Sequence, residues 1–394
     1  MVTATESAAV RPLVVPDEAA LLERAQRLAP LFAARAPVHD RDGSFAFENF
    51  QDLFDAGLLP LTVPQAHGGH GAGARTTARV LSIIAQADPS TALVLAMHYI
   101  QHFVMARNSG YPPRLARKLA RESVEAGALI NALRVEPALG SPARGGLPET
   151  IARRTATGWR LSGHKIYSTG APVLKWYAVW VRTDEAEPRA GFILVLAGLP
   201  GIRIVETWDD LGLRASGSHD VIFDDVVIPL DYEIALRPPA EWRTPDPVQA
   251  VAHAAFVGAI YDGIARAARD WIIEFLRTRT PASLGAPLAT LPRAQEILGG
   301  IETKLQVNAR LIDSVARDFD DGFAPTTIES NVVKLTVTNN AIAAVEDALS
   351  LSSNHGLSRS NPLERRYRDV LCGRVHTPQD DATRIAAGRA ALGL

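Results

Sequence analysis

The feature that most constrains this chain is a change of hydrophobic period that happens twice. From Glu18 to about Gly127 apolar residues recur at helical spacing, as in EAALLERAQRLAPLFAARA and in FENFQDLFDAGLLPLTVP, where Phe47, Phe50, Leu53 and Phe54 share a face and Gly57 is a natural stop. Around Leu129 the pattern breaks into short runs, at 129–134, 150–157, 159–168, 175–182, 191–197, 202–206 and 219–223, with Gly, Pro and Asp between them and β-branched or aromatic residues within most of them. From about Pro245 the helical period returns in three long segments, which predicts a bundle. The expected architecture is α+β: a helical domain over 1–128, a β domain over 129–238 and a helical bundle over 239–394, with the Pro-rich stretch from Arg237 to Pro247 as the joint.

Composition narrows the setting. A chain of 394 residues with 47% hydrophobic content and mean hydropathy +0.03 can bury a large interior divided into two or three parts. Its 41 basic and 43 acidic residues leave a net charge of −2, which gives no reason to expect nucleic acid or an anionic membrane as partner. One cysteine, Cys372, excludes an intramolecular disulfide and a thiolate metal cluster. The beginning, MVTATESAAVRPLVVPDEAA, lacks a basic segment followed by an apolar core, and no obvious membrane-spanning run follows, so a cytoplasmic protein is expected.

Three stretches carry groups that could do chemistry. HGGHGAGA lacks the Lys-Ser/Thr of a phosphate loop and reads as a connector. In the apolar helix from Pro89 to Asn108, His98 and His102 stand four apart, without the intervening glutamate of an HExxH zinc site. His98 lies deep in that run, so it either finds a hydrogen-bond partner or lines a cavity. Near the end, NPLERRYRDVLCGRVHTPQDD sets arginines among carboxylates at helical spacing. Pro378 must then break the helix, presenting His376, Thr377 and Gln379 at its end. As a bare sequence feature, His376 is equally readable as a helix C-cap.

The order of these parts, and several motifs within them, resemble the acyl-CoA dehydrogenase superfamily. The matching stretches are AGLLPLTVPQAHGGHGAG, LRVEPALGSPARGG, LSGHKIYSTGA, WDDLGLRASGSHDVIFDDVVIP and NPLERRYRD, which together span nearly the whole chain. The resemblance implies a flavoprotein with a helical domain, a β-barrel-like domain and a C-terminal four-helix bundle, usually a homotetramer. It implies flavin contacts from Val135, Gly140 and Ser141 in the first middle motif, with Val135 replacing the family's threonine, and from Tyr167, Ser168 and Thr169 in the second. Thr169 matches the hydroxyl that meets the reactive edge of the flavin. Arg279 resembles an arginine that reaches the flavin diphosphate of a neighbouring subunit. FAD is the expected cofactor, with FMN as the alternative.

Two departures bear on the reaction. A dehydrogenase of this superfamily removes a weakly acidic proton beside a thioester with a glutamate. The two places where that glutamate stands in the family fall on the segment Thr377 to Gln379 and near His253, and neither carries one. The family's CoA-contacting arginine also has no counterpart between Arg243 and Arg266. Both losses resemble the reduced-flavin-dependent monooxygenase branch, such as dibenzothiophene monooxygenase, in which a separate reductase supplies reduced flavin. That resemblance implies a small, rather apolar substrate, dioxygen, and His98, Thr169 and His376 as catalytic groups. The alternatives are a dehydrogenase with a relocated base, for which Asp380 and Asp381 are candidates, and a flavin-binding protein without catalysis.

Overall fold

The computed structural model describes residues 17–108, 110–138, 146–243 and 246–394, so the expected flavin contacts Gly140 and Ser141 lie outside the described residues. Five helices come first: α1 (Glu18–Asp42), α2 (Phe47–Asp55), α3 (Ala74–Ala87), α4 (Pro89–Asn108) and α5 (Pro113–Ala126). Asp17 caps α1 by accepting from the Ala20 N–H at 2.8 Å, and Gly43 closes it in the left-handed conformation. The helix runs past the expected end at Ala36 because it continues through Pro37 as it does through Pro30. Along α4, the positions from Pro89 to Ala96 are all buried, which explains why its sequence is apolar with little amphipathic bias.

The middle of the chain forms one sheet from β1 (Leu129–Leu133), β2 (Ile151–Arg154), β3 (Gly158–Lys165), β4 (Leu174–Thr183), β5 (Ala190–Leu196), β6 (Ile202–Val205), β7 (Asp220–Pro229) and β8 (Glu233–Arg237). The spatial order is β6-β7-β3-β2-β4-β5-β8, with β1 paired in parallel on β4. β8 has no counterpart among the runs read from sequence, because it is a five-residue strand directly before the proline-rich joint. It is held by antiparallel pairing with β5, a long-range contact that local pattern does not carry. Within the sheet, Lys165 and Glu136 form an ion pair at 2.5 Å with side chains 0% and 1% exposed. Further hydrogen bonds surround the pair. Lys165 also donates to the Trp180 carbonyl, and Glu136 accepts from the Glu149 and Thr150 N–H groups and the Thr150 hydroxyl.

The third part comprises α6 (Pro247–Ala252), a π turn (His253–Val257), α7 (Gly258–Thr278), α8 (Pro292–Asp320), α9 (Thr327–Ser352), α10 (Pro362–Leu371) and α11 (Asp380–Ala391). The π turn interrupts what the sequence presents as one helix. By length and mean hydropathy (1.3) the stretch Pro239–Thr278 could cross a membrane, but 83% of its most apolar window is buried within the protein, as befits a bundle core. The bundle is tied to the first domain at a helix end: Asp320, closing α8, accepts from the Ala74 and Arg75 N–H groups at 2.7 and 3.0 Å and so caps α3. One apolar cluster runs through all three parts, from Leu21 through Trp159 to Val370.

The arginine-rich stretch near the end differs from a solvated helix surface. α10 stops at Leu371, so His376 lies in the loop beyond it and not at a helix end. Arg365, Arg366 and Asp369 are buried. Arg366 caps the end of α3 by donating to the carbonyls of Ala85, Gln86 and Ala87. Asp369 accepts from the Leu213 N–H at 2.7 Å, and Arg368 binds Asp40 and Glu364, so this helix fastens the bundle to both other parts.

Candidate functional site

The turn that follows β3 holds the first half of the site. Tyr167 takes a left-handed φ of 54°, unusual for a bulky residue, and stays 58% exposed with its ring 6.2 Å from that of Trp208. Gly170 makes the next step possible: its φ is +79°, and a Cβ there would lie 2.7 Å from Val94 Cγ1 on α4. Between them, the Thr169 hydroxyl meets Ser218 Oγ at 3.0 Å, and Ser218 meets Ser216 Oγ at 2.8 Å. The Asn131 side chain on β1 donates to the Thr169 carbonyl at 3.0 Å, and Val135 accepts from the Ile166 N–H at 3.0 Å. Ser168 Oγ is buried without a hydrogen-bond partner. A half-buried hydroxyl, a chain of further hydroxyls behind it, an orphaned buried oxygen and an exposed aromatic ring are a donor and acceptor set that suits the edge of a flavin.

The second half is built around two histidines. His253 opens the π turn, and its Nδ1 donates to the Gln249 carbonyl at 2.8 Å, which leaves Nε2 as an acceptor. His376 is met at Nδ1 by the Tyr261 hydroxyl at 2.7 Å. Tyr261 is fully buried and has this one hydrogen bond among the described residues, so its hydroxyl donates and the His376 proton resides on Nε2. One ring therefore presents a base and the other a donor. Burial lowers the pKa of both, assisted for His253 by Arg134 and Lys334 and for His376 by Lys334 and His253; His376 is pushed down to about 3. Among the described residues no carboxylate is hydrogen-bonded to or ion-paired with either ring.

The loop carrying His376 is held from beneath. Lys334 on α9 is 1% exposed, and its ammonium donates to the carbonyls of Gly373 at 3.1 Å, His376 at 2.8 Å and Pro378 at 3.1 Å. Gly373 allows the loop to lie this close, since a Cβ there would meet Thr338 Cγ2 at 2.4 Å. The aspartates weighed as substitute bases begin α11: Asp380 binds Asn339 at 2.9 Å, and Asp381 accepts from the Ala382 N–H. β1 supports the Thr169 turn through Asn131, and the charge of Arg134, just past the strand end, helps to lower the His253 pKa.

His98 does not join them. It is 0% exposed, accepts from the Ile130 N–H at Nδ1 (3.2 Å) and reaches the Leu59 carbonyl and Ser123 hydroxyl at Nε2 (3.2 and 3.3 Å). Both nitrogens are thus spent on joining α4 to β1 and α5, an architectural placement in contrast to the expected catalytic one. Burial pushes its pKa down to about 4. The unfolded chain therefore binds the proton first: the stability from neutral His98 is fully present above pH 6.5 and is lost as pH falls toward 4, on the order of 3 kcal/mol. His102, lowered by burial and by His98, and the site histidines act in the same direction. Urea midpoints measured from pH 7 to pH 4.5 should fall steadily, and a flat profile would contradict neutral buried histidines. Arg279 is exposed past the end of α7, about 27 Å along the helix from Tyr261.

Sequence reasoning missed Asn131, Ser218, Tyr261 and Lys334. Only Lys334 had a signal, as a lone cation in the apolar run VVKLTV. Among the described residues no group of three or more His, Cys, Asp or Glu side chains is arranged to hold a metal ion.

Helices, a sheet that carries the hydroxyl turn, and a bundle that carries the two neutral histidines make up a three-part fold. Its parts match the N-terminal, middle and C-terminal domains of acyl-CoA dehydrogenase over residues 16–109, 134–226 and 255–380. The chain belongs to the acyl-CoA dehydrogenase superfamily of flavin-dependent oxidoreductases. It is 32% identical to YdbM of Bacillus subtilis, assigned to the acyl-CoA dehydrogenases, over 92% of this chain and 93% of that protein. It is 31% identical to the L-evernosamine nitrososynthase of a Micromonospora species, over 98% and 93%. Among solved structures, KijD3 in complex with FMN and a dTDP-linked amino sugar superposes with a TM-score of 0.81 at 28% identity, covering 96% of this chain and 95% of that one.

Proposed function

We propose that this protein is a reduced-flavin-dependent monooxygenase that acts with dioxygen on a small substrate. The observation that supports the reading best is the character of the two places where a dehydrogenase carries its glutamate. One falls near His253 and the other on the loop of His376; the two rings are kept neutral by burial, Arg134 and Lys334 add to that effect, and among the described residues no carboxylate is hydrogen-bonded to or ion-paired with either ring. Two imidazoles among cations are poorly suited to removing a weakly acidic proton beside a thioester, which needs a positioned anionic base. They suit a site where negative charge develops on oxygen.

When bound, a flavin supplies the two-electron reduction of dioxygen. Thr169, with Ser218 behind it, orients the flavin edge. The His376 Nε2–H would donate a hydrogen bond to an oxygen on which negative charge develops, and the His253 Nε2 lone pair would accept a hydrogen bond from the substrate. Tyr261 holds the His376 tautomer in which that donor exists. KijD3 holds FMN, which weights the choice toward FMN over the FAD favoured from sequence. In this reading the enzyme is a cytoplasmic homotetramer served by a separate flavin reductase, and the exposed Arg279 acts across a subunit boundary.

The test has two arms. The protein is mixed with reduced FMN and dioxygen, and separately with a panel of acyl-CoA thioesters and an electron-acceptor dye. Dye reduction that depends on acyl-CoA would sink the oxygenase reading in favour of a dehydrogenase with a relocated base. Fluorescence titration of FMN against Thr169→Ala should show binding weakened about tenfold, the value of one lost hydrogen bond in a buried site. Unchanged affinity removes Thr169 from the flavin edge.

A further inference from the structure

A second constellation lies on the sheet, gathered from neighbouring positions on β4, β5 and β8 and from the residue just past β1. Trp180 on β4 pairs across to Phe192 on β5, and Ala190 on β5 pairs to Arg237 at the end of β8. Arg134 follows directly on β1, whose last residue Leu133 pairs with Val179. The Arg134 guanidinium lies 5.4 Å from the Trp180 ring centroid and 5.8 Å from that of Phe192. Trp242, anchored by its indole N–H on the Ala190 carbonyl at 2.8 Å, stands edge-to-face on Trp180 with centroids 4.6 Å apart. Arg237 covers the Trp242 ring at 3.8 Å.

What sets this cluster apart is its unspent donors. Trp180 is 4% exposed and its indole N–H has no acceptor; the Nε–H groups of Arg134 and Arg237 are likewise buried without one. Neither guanidinium makes an ion pair among the described residues. A buried donor left unpaired costs roughly 1–3 kcal/mol, and three of them on one aromatic platform beside two uncompensated cations form a site that lacks its acceptor. Two positive charges are balanced by a dianion, and guanidinium N–H groups match the oxygens of a phosphoryl group. Arg134 directly precedes Val135, whose carbonyl accepts from the Ile166 N–H at 3.0 Å, and the Lys165 ammonium donates to the Trp180 carbonyl at 2.6 Å, so the cluster adjoins the strand end that leads into the Thr169 turn.

We infer that Arg134, Arg237 and the Trp180 indole form a subsite for a doubly charged phosphoryl or diphosphate group carried by the substrate, with Trp242 and Phe192 as its walls. The inference deepens the proposed function by giving the substrate an anionic handle, and it corrects the expectation of a wholly apolar one. It also places the cations for that handle on the sheet, where the bundle helix lacks the arginine the family uses.

Inorganic diphosphate is the probe, titrated into the full-length protein without flavin and followed by calorimetry and by tryptophan fluorescence. The expected result is saturable binding with a fluorescence change, weakened about tenfold or more in Arg134→Gln and in Arg237→Gln, which each remove one charged hydrogen-bonding partner. Circular dichroism and thermal melts confirm that each variant is folded, and the half-buried Arg237 at the sheet edge is the safer of the two. Citrate and acetate are compared as carboxylates, and binding of either as tight as diphosphate would overturn the phosphoryl assignment. Titration is repeated with FMN present: simultaneous binding supports a substrate subsite, and competition would assign the site to the cofactor phosphate and overturn the proposal. Absence of binding at millimolar diphosphate, or equal binding in both variants, also overturns it. The diphosphate titrations of the parent and the variants need neither flavin nor oxygen, so their failure leaves the oxygenase test untouched, and the reverse holds.

Discussion

Lys165→Met is expected to lower the unfolding free energy by about 3–5 kcal/mol, the cost of removing one partner from a buried ion pair. The Lys165 ammonium is enclosed with Glu136, and its loss leaves a buried carboxylate with hydroxyl and amide donors but no cation. Burial acts on the two partners in opposite directions: it lowers Lys165 to about 8 and raises Glu136, where the lysine charge and the hydrogen bonds from Lys165, Thr150 and the Glu149 N–H together outweigh it and hold that carboxyl below its ordinary value. The pair joins the segment after β1 to β3, the two strands that frame Val135 and the Thr169 turn. Urea denaturation is the measurement, with Glu136→Gln/Lys165→Met as the companion. Removing both charges should restore part of the loss. A single variant within 1 kcal/mol of the parent would show that the pair is not a closed electrostatic unit.

Lys334→Met should have an effect of similar size, about 3 kcal/mol or more, with a different signature. Three carbonyls of the His376 loop would lose their common donor. The strain is local, so hydrogen exchange over residues 371–379 should accelerate in the variant while the sheet retains its protection. His376 would then lose its fixed approach to Tyr261, and the tautomer imposed by that contact with it. Exchange that rises uniformly across the protein, or not at all, would remove Lys334 from its role as anchor of the loop.

How much of this was legible beforehand depends on how local the cause was. The long helices and most strands follow from period alone, since α4 and β4 carry their own apolar patterns. The strand β8 and the π turn do not, because one depends on a partner strand distant in sequence and the other on helix packing around His253. The Thr169 turn was found through motif resemblance; its supports, Asn131 and Ser218, come from other strands and have no signature of their own. His98 and His376 looked alike as histidines in apolar company. What separates them is tertiary: Ile130 and Leu59 use up the first, whereas Tyr261 engages only one side of the second. The orphaned donors of Arg134, Trp180 and Arg237 were invisible for the same reason, since an absence of acceptors is a property of the assembled sheet.

The π turn at His253–Val257 also bears on how this site can vary. Such a turn stores one surplus residue within an otherwise α-helical run, and each residue of an α-helix advances the direction of its side chains by about 100°. The compass bearing of α6 relative to α7 is thus set by residue count, not by residue identity. A single insertion or deletion there would turn His253 away from its present bearing while Tyr261, on the far side of the turn, kept its grip on His376. In a lineage of related chains, the reaction could be retuned by indels in this one turn, with every side chain of the bundle left as it was.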